Sequence, residues 1–196
     1  MRQERAARTR SSLIRAAAAE FDRHGFAGAS LSRISGTAEI STGALTFHFA
    51  TKGELAAAVQ QQGGLVTTRS VRRAAAAPEP AVQRVISLTL TLAALLQDET
   101  VVRAAARLSR EAVVTGPDWT GLWMPYVSDL LAAAVRDGQL RPHVSSETVS
   151  AFVVHLVTGL EEGIRTQAGG PHAVGAVEEL RNIWDLVMTG IARTDG

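Results

Sequence analysis

Apolar residues near the start of the chain recur at helical spacing. Leu13, Ala17 and Phe21 stand four apart with Ile14 and Ala18 beside them, which predicts one buried stripe on a helix over residues 3–24. Gly25 stands where a left-handed C-terminal cap is wanted, and Phe26 can pack back on the helix end. A short second helix follows, with Ser30 as an N-cap accepting backbone N–H bonds and Leu31, Ile34 and Ala38 facing inward. A third helix is predicted over 41–47. A fourth opens at Thr51-Lys52-Gly53-Glu54, a capping box in which Thr51 bonds forward and Glu54 bonds back. It runs to about residue 76, loosened at Gly63-Gly64.

Pro78 and Pro80 interrupt the pattern and mark a module boundary. Further helical segments are predicted near 80–97, 99–114, 118–137, 145–167 and 172–192, the last four set off by Gly116-Pro117, Gly138, Arg141-Pro142 and Gly169-Gly170-Pro171. Sustained strand-type alternation is absent. The pattern therefore predicts an all-α chain of about nine helices, divided into a head (1–50), a connecting helix (51–77) and a C-terminal bundle (78–196). The last two segments are apolar on more than one face. Val149, Phe152, Val153, Val154, Leu156, Val157, Leu160 and Ile164 cover most of the first, and Val174, Val177, Leu180, Ile183, Trp184, Val187, Met188 and Ile191 do the same for the second. Such helices need two partners, which a symmetric interface with a second copy would supply. A helix buried at the centre of one subunit shows the same pattern, more readily for 145–167 than for a C-terminal helix.

Composition narrows the chemistry. The chain has 196 residues, a net charge of +1 and no cysteine. Disulfides, thiol catalysis and cysteine-ligated zinc are excluded. No run of about 18 apolar residues predicts a transmembrane helix, and no apolar segment follows the early arginines as a secretory signal would require, so a soluble cytoplasmic chain is expected. The near-neutral total conceals an asymmetry. Residues 1–73 carry eleven basic and five acidic groups, a charge of +6, whereas residues 74–196 carry nine and fourteen, a charge of −5. A basic module that meets a polyanion, joined to an acidic one that does not, fits this division.

The short helices between 30 and 49 lie within the basic part and have the order of a helix-turn-helix. Its second helix must bring small and polar side chains to base edges and phosphates while its other side anchors it. Ser41, Thr42, Gly43, Ala44 and Thr46 are small enough for close approach, and Ile40, Leu45, Phe47 and Phe49 are the expected anchor. Lys52 combines a positive side chain with the free N–H groups of a helix start, a seat for phosphate. Periodicity alone is equally satisfied by a bare helical hairpin without a ligand.

The residues themselves say more. Arg5-Ala6-Ala7-Arg8-Thr9-Arg10, Ala17-Ala18-Ala19-Glu20-Phe21-Asp22-Arg23-His24-Gly25-Phe26, Gly43-Ala44-Leu45-Thr46-Phe47-His48-Phe49 and Lys52-Gly53-Glu54-Leu55 resemble, in order and spacing, the N-terminal domain of TetR-family transcriptional repressors. The Arg-rich opening and Phe47-His48-Phe49 look like the γ-butyrolactone-receptor branch of that family. Arg103-Ala104-Ala105-Ala106-Arg107-Leu108 and Pro117-Asp118-Trp119 are similar to the same branch. The resemblance implies a homodimer through the last two helices that represses transcription on a pseudo-palindromic double-stranded DNA operator and is released by a small-molecule effector. DNA contacts are then expected from Arg5, Arg8, Arg10, Arg33, Ser41, Thr42, Gly43, Ala44, Thr46, His48 and Lys52. Three positions depart from the family pattern: Glu39 stands where the turn usually has Gly, Thr42 where Lys is usual and Thr46 where Tyr is usual. A non-glycine residue there costs about 1 kcal/mol where positive φ is kept; the alternative is a rebuilt turn in which Gly36 takes some of the bend. Loss of two phosphate contacts is expected to weaken binding or alter operator preference. The alternative reading is a ligand-binding or interaction dimer whose DNA-binding head has degenerated.

Trp119 and Trp123 lie four apart on one face of the predicted 118–137 helix, where core packing is the ordinary role of aromatics. The resemblance makes Trp119 a wall of the effector site, with Trp123 and the Thr158 hydroxyl as further candidates to line and orient a small amphipathic molecule. No catalytic constellation is present. His24, His48, His143, His155 and His172 are scattered without an acid at metal-ligand spacing, no glycine-rich phosphate loop follows a strand, and neither enzyme activity nor a cofactor is expected.

Overall fold

The computed structural model describes residues 2–113, 118–167 and 175–191. Among them are nine α-helices: α1 (Arg2–Gly28), α2 (Leu31–Thr37), α3 (Thr42–His48), α4 (Lys52–Ala75), α5 (Ala81–Asp98), α6 (Thr100–Arg110), α7 (Met124–Arg136), α8 (Ser146–Gln167) and α9 (Ala176–Ile191). No single helix among the described residues is long and apolar enough to cross a membrane. Two compact units result, one built from Met1–Val66 with Glu99–Trp119 and the other from Thr67–Asp98 with Thr120–Gly196.

The first unit is organised around the α1 stripe. Leu13, Ala17 and Phe21 are wholly buried, with Ile14 and Ala18 beside them, against Ile34 of α2, Leu45 of α3, Leu55 and Val59 of α4 and Ala104 and Leu108 of α6. Helix α6, which the sequence pattern groups with the C-terminal bundle, here packs on α1. Polar side chains lock the pair. Arg103 Nε donates to Asp22 Oδ2 at 2.9 Å, and Arg107 Nη1 donates to the Asp22 carbonyl at 2.7 Å. Glu111 accepts from Arg107 Nε at 3.0 Å and from the Phe26 N–H at 2.7 Å.

That last bond exists because the helix breaks at Gly25. Its φ of 67° is positive as the sequence suggests, but its ψ of −179° is not the left-handed helical value expected of a simple cap. Essentially only glycine adopts this conformation. A Cβ at Gly25 would also strike the Glu111 carboxylate and approach Arg107 Nη2 to 2.8 Å. Beyond the break the chain makes one more helical turn, and Phe26 stacks on Phe21 with ring centroids 6.1 Å apart. The Gly63-Gly64 pair does not loosen α4, which is continuous. Gly63 instead lets α6 cross closely, since a Cβ there would meet Val101 O and Ala105 Cβ at 2.5 Å.

In the second unit α5 is the central helix, touching α7, α8 and α9. Leu88, Leu92 and Leu96 are wholly buried. Trp184 of α9 enters this core and satisfies its indole by donating to Thr89 Oγ1 at 2.8 Å, while Phe152 of α8 meets the Trp184 ring edge-on. Val149, Val153 and Val157 form the buried face of α8, as Leu180 and Trp184 do for α9. Phe152, Val154, Leu156, Leu160, Ile183, Val187 and Met188 are only half covered, and Leu186 is exposed. The expected second apolar face is therefore present. Val174, in the sequence stripe, lies outside the described residues, as do Gly116-Pro117 and Gly169-Gly170-Pro171.

The segment predicted as one helix over 118–137 is divided. A 3-10 turn covers Thr120–Leu122, and α7 begins only at Met124 with Trp123 as its N-cap. Pro125 explains the start, because its ring and missing N–H suit the first turn of a helix and disrupt an interior.

The turn between α2 and α3 positions the candidate site. Glu39 N–H donates to the Gly36 carbonyl and Ile40 N–H to the Ser35 carbonyl, a Schellman closure with Ala38 as C-cap and Glu39 at φ 56°. The turn is thus kept in its glycine-type geometry with a glutamate in it, and Gly36 stays within α2. Ser30 precedes α2 but makes no side-chain cap bond. Its backbone N–H is instead held by Glu20 Oε1 at 3.1 Å. Glu20 also accepts from Arg33 Nε at 2.6 Å and lies 3.8 Å from His24 Nε2. Burial pushes the Glu20 carboxyl up, yet the Arg33 and Ser30 hydrogen bonds and the charges of Arg33 and His24 outweigh it and hold it below the ordinary value of 4.5.

Two outcomes follow. Glu39→Gly should raise stability in urea denaturation by about 1 kcal/mol, the cost of a side chain at positive φ; an unchanged or lowered midpoint contradicts the strained turn. Glu20 stabilises the fold while ionised, so its contribution is complete above the unfolded carboxyl value and is lost as pH falls through the lower folded one. The stability gap between the parent and Glu20→Gln should hold constant from pH 7 to about pH 5 and then narrow. A gap that persists to pH 3 rejects this role.

Candidate nucleic-acid interface

Helix α3 is seated by Leu45, which is wholly buried, and by Phe49 just beyond its end, with Ile40 half-buried before it. Ser41 caps the helix, its Oγ accepting from the Ala44 N–H at 3.1 Å. Phe47 was expected among the anchors and is not one: it is 86% exposed. The helical period gives the reason. Leu45 and Phe49 are four apart and share the inner face, and Phe47, two residues from each, points about 200° away from them.

The outer surface of α3 presents Thr42, Gly43, Thr46 and Phe47, with Ala44 and His48 half-buried at its edges. Thr42 Oγ1 lies 3.2 Å from Ser35 Oγ on α2, and Thr46 Oγ1 donates to the Gly43 carbonyl at 3.0 Å. Both hydroxyls are thereby oriented by the protein itself. The edge of the Phe47 ring relationship with His48 is T-shaped at 5.5 Å.

The basic residues divide into two groups. Arg5, Arg8 and Arg10 are exposed along the first turns of α1, and the Arg10 guanidinium carbon stands 5.0 Å over the Phe49 ring. These three are available to a polyanion. Arg33 and Lys52 are engaged internally. Arg33 binds Glu20 and donates from Nη2 to the Gly28 carbonyl at 2.6 Å. Lys52 Nζ turns inward, donating to the Phe26 carbonyl at 2.8 Å and the Ala29 carbonyl at 3.1 Å, and sits 4.5 Å over the Phe26 ring. The carbonyls at the end of α1 carry its negative dipole end, which attracts a cation, and the Phe26 oxygen accepts from Lys52 as well as from the Ala29 N–H at 3.3 Å. The sequence offered Lys52 as a phosphate seat; the structure directs its ammonium to the α1 terminus. The α4 start itself is capped as expected on one side, with Thr51 Oγ1 accepting from the Glu54 N–H at 3.1 Å. Glu54 reaches back to the Ala50 N–H at 3.0 Å.

Candidate effector residues are not gathered on one helix face. Trp119 is buried in the first unit, its backbone N–H donating at 2.8 Å to Ser109 Oγ, which in turn donates to Asp118 at 2.7 Å. Trp123 is wholly buried in the second unit, and Thr158 lies on the exposed side of α8, away from Val153 and Val157. Sequence reasoning missed the Asp22, Arg103, Arg107 and Glu111 clamp. Helical spacing on α6 puts Arg103, Arg107 and Glu111 on one side, but the partner on α1 lies some eighty residues away.

Comparison with known proteins agrees with this geometry. The model of the TetR family of bacterial regulatory proteins matches residues 13–59. The A-factor receptor protein of Streptomyces griseus is 28% identical over 192 residues, covering 97% of this chain and 66% of that protein, so the chain spans just under two thirds of this curated relative. Among solved structures, full-length TylP, a TetR regulator from Streptomyces fradiae, is 30% identical with a TM-score of 0.59, over 98% of this chain and 83% of that one. CprB from Streptomyces coelicolor, solved in complex with its biological operator sequence, is 28% identical with a TM-score of 0.83, over 97% and 91%. An ArpA-like γ-butyrolactone receptor is 26% identical with a TM-score of 0.81, again over 97% and 91%. With the helix-turn-helix head and the all-helical second unit in place, these similarities settle the affiliation: the chain belongs to the TetR family of bacterial regulatory proteins.

Proposed function

We propose that the protein is a ligand-responsive transcriptional repressor of the γ-butyrolactone-receptor type, acting in the cytoplasm as a homodimer on a pseudo-palindromic operator. The observation that carries the reading is the outer face of α3. Its small residues are held clear of the core by Leu45 and Phe49, with Arg5, Arg8 and Arg10 exposed on the same unit. Small side chains allow the helix into a major groove, and guanidinium groups hold phosphates. Glu39 keeps the turn geometry despite replacing glycine, which favours a working head over a degenerate one. The half-covered apolar residues of α8 and α9 support their use as the dimer interface. The operator-bound structure of CprB and the receptor relatives support both halves of the reading. Within it, Thr42–His48 reads bases, and the arginines of α1 hold the backbone. Trp119, buried in the first unit, is the proposed contact for a small lactone-type effector. The effector acts by binding the DNA-incompetent dimer more tightly than the competent one.

Gel shift with the protein's own upstream region tests this directly. A specific complex is expected whose log K falls linearly with log salt. The combined Arg5→Gln, Arg8→Gln variant should flatten that slope by about 0.9 for each phosphate contact removed. A synthetic γ-butyrolactone should release the complex of the parent and not that of Trp119→Ala. Absence of any specific complex, or a slope indifferent to the arginines, contradicts the proposal.

A further inference from the structure

The structure leaves one large apolar side chain fully presented on an otherwise small and polar recognition surface. Phe47 is 86% exposed, the highest exposure among the large hydrophobic residues described, and its neighbours on that face are Thr42, Gly43 and Thr46. Its placement is imposed by the core. Leu45 and Phe49 fix the inner face of α3, the Ser41 cap and the Glu39 turn fix the start of the helix, and His48 meets Phe47 edge-on. The ring is therefore held outward at low entropic cost on binding.

Resting on the DNA-binding reading above, we infer that Phe47 is a specificity-determining residue that reads the C5-methyl group of thymine in the major groove. The chemistry selects that partner. A phenyl ring offers neither donor nor acceptor, and the base edges in the major groove present hydrogen-bonding groups on every pair with a single apolar feature, the thymine methyl. The Thr46 hydroxyl spends its proton on the Gly43 carbonyl and Thr42 pairs with Ser35, so the hydroxyls on this face are partly committed and Phe47 adds the apolar contact they lack. A lone ring among threonines and a glycine is too small for a protein interface of ordinary size. It lies on the same unit as the exposed Arg5, Arg8 and Arg10, within a segment of charge +6. Double-stranded DNA is the occupant that suits both features.

Uracil-for-thymine substitution removes that methyl and nothing else. The operator fragment is first mapped by footprinting in the protein's own upstream region with the full-length protein. Each half-site thymine is then replaced by deoxyuridine and binding is measured at fixed salt. The parent should bind about fourfold more weakly for each half-site altered at one particular position, the value of one buried methyl-sized group. In Phe47→Ala the same replacement should change affinity by a factor near one, while Phe47→Leu should retain most of the sensitivity. Because Phe47 is exposed, both variants should melt with the parent, which circular dichroism checks. Equal sensitivity in the parent and Phe47→Ala overturns the assignment, as does a parent indifferent to the methyl of every thymine in its footprint. Failure to bind any fragment overturns this assignment together with the DNA-binding reading, whereas methyl-insensitive specific binding overturns the assignment alone.

Discussion

The direction in which α3 faces depends on a turn that holds one residue at positive φ. Among the described residues, three helix ends close in the Schellman manner: α2 at Glu39, α6 at Ala112 and α7 at Gly138. Glycine adopts that conformation freely, and the other two residues adopt it under strain. At Glu39 the strain is overruled by what lies on either side, since Ile34 on one helix and Leu45 on the next are both wholly buried in the same core. The cost of the turn is small beside the burial of two large aliphatic side chains. The outward surface of α3 follows, since it consists of whatever lies opposite Leu45 and Phe49.

A second constraint is the join between α1 and α6. It is built from charged and hydrogen-bonded groups on a helix end that Gly25 opens, so the Phe26 N–H and the Asp22 carbonyl become available to Glu111 and Arg107. Just past the break, the Phe26 and Ala29 carbonyls hold Lys52. Gly25 thus organises the α1–α6 attachment, and the close contact at Gly63 adds a second approach by α6. Helix α6 is in this way part of the head's own compact unit. Asp118 and Trp119 are tied to α6 through the Ser109 hydroxyl.

Much of this was legible in the residues. The α1 stripe and the order of the head helices follow from apolar spacing, and glycine placement marks the break at Gly25, though not its extended ψ. Where the reading failed, a tertiary partner decided the outcome. Lys52 and Arg33 are basic residues in the expected places, but carbonyls and a carboxylate from α1 and the following loop claim them. No local pattern encodes that competition. Phe47 is different. The period that turns Leu45 and Phe49 inward turns Phe47 outward, whatever its hydrophobicity. Pro125 likewise stated that a helix starts beside it, against an uninterrupted 118–137 segment.

The central claim is that the head is intact although Glu39, Thr42 and Thr46 depart from the family pattern. Its most direct test is the affinity of the full-length protein for its own upstream DNA beside that of the triple variant Glu39→Gly, Thr42→Lys, Thr46→Tyr, at one salt concentration. An intact head predicts a specific complex with the parent and a tighter, more salt-sensitive one with the variant. A parent that forms no specific complex, beside a variant that does, would show the head to be degenerate and contradict the account.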